Sequence, residues 1–317
     1  MNSTEYSLLL ETNLKSLLSD PKFDNYKKQI FAWRLSASFR RTYDEAYLWN
    51  RALYLSSNGG LLLSDPDRRK LAIRSLKEAA EIYEYLGRIS EQYDCEYALL
   101  LSSLCYDLAG YQANALCLTR RIAEYQLESA DDEVDVSSDN YILQHIKQIL
   151  LKNIVKAKNT VRNDLNVDLG IEIFNNSISK WYDNVLNGIE NDFQDSVYHS
   201  YKYYLNAFNL PISHLLFLLR ARINIYLERS IWVNLRKTEA IRNSPVWTKY
   251  IKLLTHDVYA NNRVKDVGKR ISKFELWVSQ LRAVEKGLLE SDENFVIQMP
   301  TSTGKTFIAE LSILNIS

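Results

Sequence analysis

The sequence is poor in chain breakers: nine glycines and five prolines punctuate 317 residues. So few turn residues, set among abundant Leu, Ala, Glu, Lys, Arg and Tyr, favour helices over most of the length. Cysteine is scarce too. Cys95, Cys105 and Cys117 are spaced for no zinc motif and each lies among apolar residues, which predicts three reduced core thiols. The four histidines, His145, His199, His214 and His256, are scattered without a Glu-x-x-His partner, so structural or surface roles are expected. No run approaches the ~18 apolar residues a membrane helix needs. Met1-Asn2-Ser3-Thr4-Glu5 has neither a basic nor an apolar leader region, and the expectation is a cytoplasmic protein without a membrane partner. Net charge is absent as well: 39 Lys and Arg balance 39 Asp and Glu. With 46% hydrophobic and 25% charged residues, the chain is ordinary for a globular protein long enough for two domains, and disorder is excluded.

What is present is helical periodicity. From Leu71 to Leu86, Ala72, Leu76, Ala79, Tyr83 and Leu86 repeat at intervals of four and three, while charged residues point largely elsewhere. Asp67, after Pro66, is suited to cap this helix and Gly87 to end it. A second stripe, Tyr97, Leu100, Leu101, Leu104, Cys105 and Leu108, turns at Gly110, and a third helix follows over about 112–127. The small-residue pattern of Ala98 and Leu104 to Ala115 resembles a tetratricopeptide hairpin, without a second copy at a fixed period. Twenty-one tyrosines suit helix seams with one wet edge. The predicted organisation is a helical hairpin-repeat-like region over 1–130, an acidic linker over 131–140, and a second helical bundle over 141–270. Within that bundle the apolar run Leu215 to Leu219 marks the central helix.

Charge cancels over the chain but not along it. Between Leu215 and Arg270 stand twelve Lys or Arg against four Asp or Glu. Arg220, Arg222, Arg229, Arg236, Lys237, Arg242, Lys249, Lys252, Arg263, Lys265, Lys269 and Arg270 are candidates for a track along a DNA or RNA backbone. Arg236, Lys237 and Arg242 are its central candidates. The competing reading is a set of solvated helix faces, or a face that meets the acidic N-terminal part.

The last stretch carries chemistry. Asn294-Phe295-Val296-Ile297-Gln298 reads as a buried strand, stopped by Pro300. Thr301, Ser302, Thr303 and Gly304 are small enough for backbone N–H groups to turn onto phosphate oxygens. Lys305 then reaches the β- and γ-phosphates and Thr306 ligates Mg²⁺. The helix predicted over Phe307 to Ile316 places a partial positive charge beneath them. ATP and Mg²⁺ are the expected cofactors.

The general P-loop pattern puts a glycine where Met299 stands. Met299-Pro300-Thr301-Ser302-Thr303-Gly304-Lys305-Thr306 instead closely resembles motif I of superfamily 2 helicases and translocases (DEAD/DEAH-box enzymes). Phe307-Ile308-Ala309-Glu310 looks like the Ski-type and DExH branch. Upstream, Phe274 to Leu289 reads as an amphipathic helix closed near Gly287. Its Gln280 matches the adenine-reading glutamine of that superfamily, whose amide both donates and accepts. The resemblance covers residues 271–317 only.

That resemblance implies a mostly α chain: a helical accessory region followed by the first strand, loop and helix of a RecA-like α/β ATPase domain. It implies a parent ATP-dependent nucleic-acid helicase whose hydrolytic acids and arginines lie past Ser317, so the 317 residues alone are expected to show no appreciable ATPase activity. Long helical extensions on helicases also resemble, in outline, bacterial phage-defence (antiviral) systems. The alternative is a helical scaffold for a protein partner, with no catalysis of its own.

Overall fold

The computed structural model describes residues 3–36, 44–89, 94–128, 138–161, 168–189, 193, 196–237, 239–256, 272–290, 296–298 and 305–316. It is mostly helical, and the chain divides into two compact units. The first unit comprises Met1–Leu150 together with Ser200–Arg222. Its N-terminal part is α1 (Ser3–Leu18), α2 (Pro21–Leu35), α3 (Glu45–Leu62), α4 (Arg69–Ile89), α5 (Cys95–Leu108), α6 (Gln112–Glu128) and α7 (Ser138–Leu150). The chain then enters the second unit with α8 (Ile154–Asn159) and α9 (Leu169–Asn187). Through α10 (Ser196–Asn206) and α11 (Leu210–Asn224) it returns to the first unit, leaving it after Arg222. The second unit is completed by α12 (Tyr226–Arg229), α13 (Ile231–Asn234), α14 (Glu239–Arg242), α15 (Pro245–Thr255), α16 (Val278–Glu285) and α17 (Lys305–Ile316).

Local chemistry sets most helix ends. Asp44 and Asp94 accept from the N–H groups of Tyr47 and Tyr97 at 3.2 and 2.8 Å, and so begin α3 and α5. At the end of α5, Gly110 takes a positive φ of 86°. Tyr111 N then donates to Tyr106 O at 2.8 Å and Gly110 N to Asp107 O at 3.1 Å, the paired bonds of a Schellman stop. In α4 the stripe Ala72, Leu76, Ala79, Tyr83 and Leu86 is fully buried. Asp65 rather than Asp67 supplies the carboxylate before that helix, accepting from Asp67 N at 3.0 Å. Gly87 does not end it. The helix runs on to Ile89, and a Cβ on Gly87 would lie 2.9 Å from Leu99, so glycine here lets α5 approach α4.

The first unit buries polar groups in pairs. Arg222 and Asp107 form an ion pair inside it, and Lys147 meets Glu96. Ser56 Oγ lies 3.2 Å from Tyr83 Oη and 3.1 Å from His214 Nε2. The apolar run Leu215 to Leu219 belongs to this unit and is not central to a second bundle. Of the cysteines, Cys105 is buried, whereas Cys95 and Cys117 are exposed; α5 and α6 turn those two out of the apolar stripe. The acidic stretch lies outside the described residues except at Ser138–Asn140, where α7 has already begun. Among the described residues no helix is long and apolar enough to cross a membrane.

The second unit holds a core of Ile231, Trp232, Leu235, Ile241, Trp247, Ile251, Leu254, Leu276, Val284, Leu288, Leu289, Phe307, Ile308 and Leu311. Gly188 ends α9 at φ 65°, and the Trp232 ring packs where its side chain would be. Of the predicted strand, Asn294 and Phe295 lie outside the described residues, and the described Val296–Gln298 make no ladder, with Val296 99% exposed. A strand needs a neighbour for its N–H and C=O groups, and the described residues supply only a single bridge, Ser230 to Glu275.

Candidate functional site

The candidate residues of the C-terminal stretch are positioned by short extended backbone rather than by a sheet. Ser272 N donates to Lys152 O at 2.8 Å and Lys273 N to Leu254 O at 3.0 Å. Leu276 N donates to Arg229 O at 2.8 Å, and Ile231 N to Phe274 O at 3.2 Å. Phe274 and Leu276 are drawn into the core by this pairing, so the predicted helix over Phe274–Leu289 shrinks to α16. Beneath the segment, Lys152 Nζ meets Glu275 Oε2 at 3.0 Å, both side chains almost wholly buried, with the ammonium 4.9 Å from the Phe274 ring. Lys152 itself sits at φ 63°, a costly conformation for a residue with a Cβ.

Gln280 is buried in the first turn of α16. Its Oε1 accepts from Trp277 N at 2.9 Å, one half of a capping box; the indole has no acceptor to return. A carboxamide oxygen has two lone pairs, so the cap leaves acceptor capacity beside the –NH₂ donors. Gly287, at φ 90°, ends α16 with Gly287 N donating to Val284 O and Leu288 N to Ala283 O, a second Schellman stop.

α17 begins at Lys305, two residues earlier than periodicity predicts. Phe307, Ile308 and Leu311 enter the shared core, while Lys305 and Thr306 stand exposed in the first turn, where backbone N–H groups have no helical acceptor. One turn on, Glu310 accepts from Tyr250 Oη at 3.4 Å and lies 4.0 Å from Lys273 Nζ. Thr301, Ser302, Thr303 and Gly304, with Met299 and Pro300, lie outside the described residues.

The basic candidates divide. Arg222 is buried on Asp107 and Arg229 is buried, so neither lies on a surface track. Arg220 belongs to the first unit. Arg263, Lys265, Lys269 and Arg270 lie outside the described residues. Arg236, Lys237 and Arg242 are brought together: Arg236 Nη2 donates to Arg242 O at 3.2 Å, and Arg242 donates from Nε to Arg236 O and from Nη2 to Lys237 O, both at 3.4 Å. Among the described residues no group of three His, Cys, Asp or Glu is placed to hold a metal ion. Sequence reasoning missed the Lys152–Glu275 pair and the Tyr250–Glu310 contact, because both join residues far apart in the chain.

The chain is similar, over a short stretch, to part of a known protein. Over 54 residues, 17% of its length, it is 37% identical to the ATP-dependent DNA helicase Hel308 of Methanocaldococcus jannaschii. The matched stretch is 4% of that protein's length. No protein-family profile matches the chain.

Proposed function

We propose that residues 271–317 are the ATP-binding start of a RecA-like domain of superfamily 2 type, and that the helical units before it form the accessory region of an ATP-dependent nucleic-acid translocase. The observation that carries this reading is the placement of Lys305 and Thr306. Both are exposed at the start of a helix whose opposite side is locked into the core that also holds α16. Lys305 offers a point charge, Thr306 a hydroxyl for Mg²⁺, and the first-turn N–H groups a partial positive charge for phosphate oxygens. When bound, the nucleotide supplies the phosphoanhydride that such motors cleave. Gln280 reads the adenine edge through its –NH₂ group and its remaining lone pair.

The test is binding of Mg²⁺ with a fluorescent ATP analogue to the 317-residue chain. We expect Lys305→Ala to weaken binding by about tenfold or more, in line with the ~1.5–3 kcal/mol of a hydrogen bond to a charged group. Equal affinity in the two proteins overturns the reading.

A further inference from the structure

Cations in this protein are commonly neutralised where they stand. Lys27 meets Glu78 at 2.8 Å, Arg34 meets Glu84 at 2.9 Å, and Arg68 meets Glu11 at 2.9 Å. Residues 231–256 depart from that habit. They hold five cations, Arg236, Lys237, Arg242, Lys249 and Lys252, against one acid, Glu239, and none of the five is in an ion pair among the described residues.

Their placement is regular. α15 directs Trp247, Ile251 and Leu254 into the core. Lys249 and Lys252 are exposed on the opposite side, in line with Pro245. Exposed Arg242 precedes the first turn of this helix, and exposed Lys237 is tied to it through the Arg242 guanidinium. At a rise of ~1.5 Å per residue, Pro245 to Lys252 spans roughly 10 Å, about three phosphates of one strand at 3.4 Å each. Like charges gathered on one segment repel one another, and none of these five is paired with a described acid.

We infer that the α13–α15 segment is a nucleic-acid backbone-binding face, made by Lys237, Arg242, Lys249 and Lys252. The identity of the polyanion rests on the helicase reading above. Arg236 is a positioning residue: it is half-buried, with Nη2 on Arg242 O and its guanidinium 6.0 Å from the Trp232 ring, whereas Arg242 is exposed and makes its carbonyl bonds through Nε and Nη2, leaving Nη1 to donate to a phosphate. The aromatic rings of the segment are unavailable for base stacking: Trp232 and Trp247 are buried and Tyr250 is committed to Glu310. The face therefore grips phosphates, not bases, and is indifferent to sequence.

The test is fluorescence anisotropy of the 317-residue chain with labelled single-stranded and duplex oligonucleotides of two unrelated sequences, across 50–200 mM salt. For the duplex, four neutralised phosphates give a slope of log affinity against log salt of about −3 to −4. Lys249→Gln with Lys252→Gln should flatten it by about 2, with an unchanged circular-dichroism melt and equal losses on both sequences. Lys27→Gln with Lys77→Gln, taken from side chains already paired with Glu78 and Glu81, should leave the slope alone. An unchanged slope in the Lys249/Lys252 variant overturns the inference, and so does tighter binding to polyglutamate than to either oligonucleotide, which points to an acidic protein instead. Nucleotide affinity separates the two claims: a Lys305→Ala protein that loses ATP but keeps its salt slope leaves this face in place, and intact ATP binding with no oligonucleotide binding removes it alone.

Discussion

Gly188 illustrates how much one hydrogen atom in place of a side chain decides. Its φ of 65° suits glycine, and a Cβ there would stand 2.8 Å from the Trp232 ring. The ring cannot retreat freely, because Trp232 Nε1 donates to Val185 O at 2.9 Å. Gly188→Ala combines a left-handed backbone cost of ~1–2 kcal/mol with overpacking of ~1–3 kcal/mol. A loss of about 2–5 kcal/mol in urea-induced unfolding is expected, and a loss below about 0.5 kcal/mol contradicts the packing described. Residue identity alone is a poor guide at such positions. Gly87 and Gly110 look alike in the sequence, yet one lies inside a close helix contact and the other forms a helix stop. Arg222 reads as a surface cation because its partner Asp107 is distant in the chain.

At the scale of elements, helix existence was legible and helix ends less so. The stripe of α4 carries its own period, and α17 was legible as a helix although it begins at Lys305, two residues before the predicted Phe307. The segment Phe274–Trp277 was misread because tertiary pairing with Arg229 and Ser230 outweighs a helical pattern in which aromatic residues stand at plausible intervals. The joint between α10 and α11 offers a test of such competition. It uses the Schellman pattern, with Asn209 N donating to Tyr204 O at 3.0 Å and Phe208 N to Leu205 O at 3.1 Å. The left-handed position, however, is Phe208, at φ 56° and 87% exposed. Phe208→Gly removes a strain of ~1–2 kcal/mol and adds ~0.5–1 kcal/mol of unfolded-state entropy, with little packing to lose. The variant should be more stable by roughly 0.5–1 kcal/mol, seen as a higher melting temperature; a lower one refutes the strain argument.

For the molecule as a whole, the two units should answer acid differently. Burial pushes the imidazoles of His145 and His214 down to about 4, and both lie in the first unit. A folded value below the unfolded ~6.5 means the unfolded chain binds protons more readily. Their contribution is therefore complete above pH 6.5 and is lost as pH falls toward 4, on the order of 3 kcal/mol each. Hydrogen exchange should show α4 and α5 losing protection at higher pH than α9 and α15. His214→Gln should move the first unit's transition to lower pH, and simultaneous loss in all four helices argues against the assignment. This division was not legible in the sequence, since no local pattern announces that Ser200–Arg222 rejoins Met1–Leu150.

The buried Asp107–Arg222 pair also has a consequence in time. The carboxylate emerges from the ribosome more than a hundred residues before the guanidinium that neutralises it, which at ~5–20 residues per second is an interval on the order of ten seconds. Through that interval the nascent helices carry a charge with no internal partner, and an ionised carboxylate resists burial. The first unit therefore closes late, after Leu151–His199 of the second has been synthesised, and ribosome-bound chains stalled before Arg222 should remain sensitive to protease at α5.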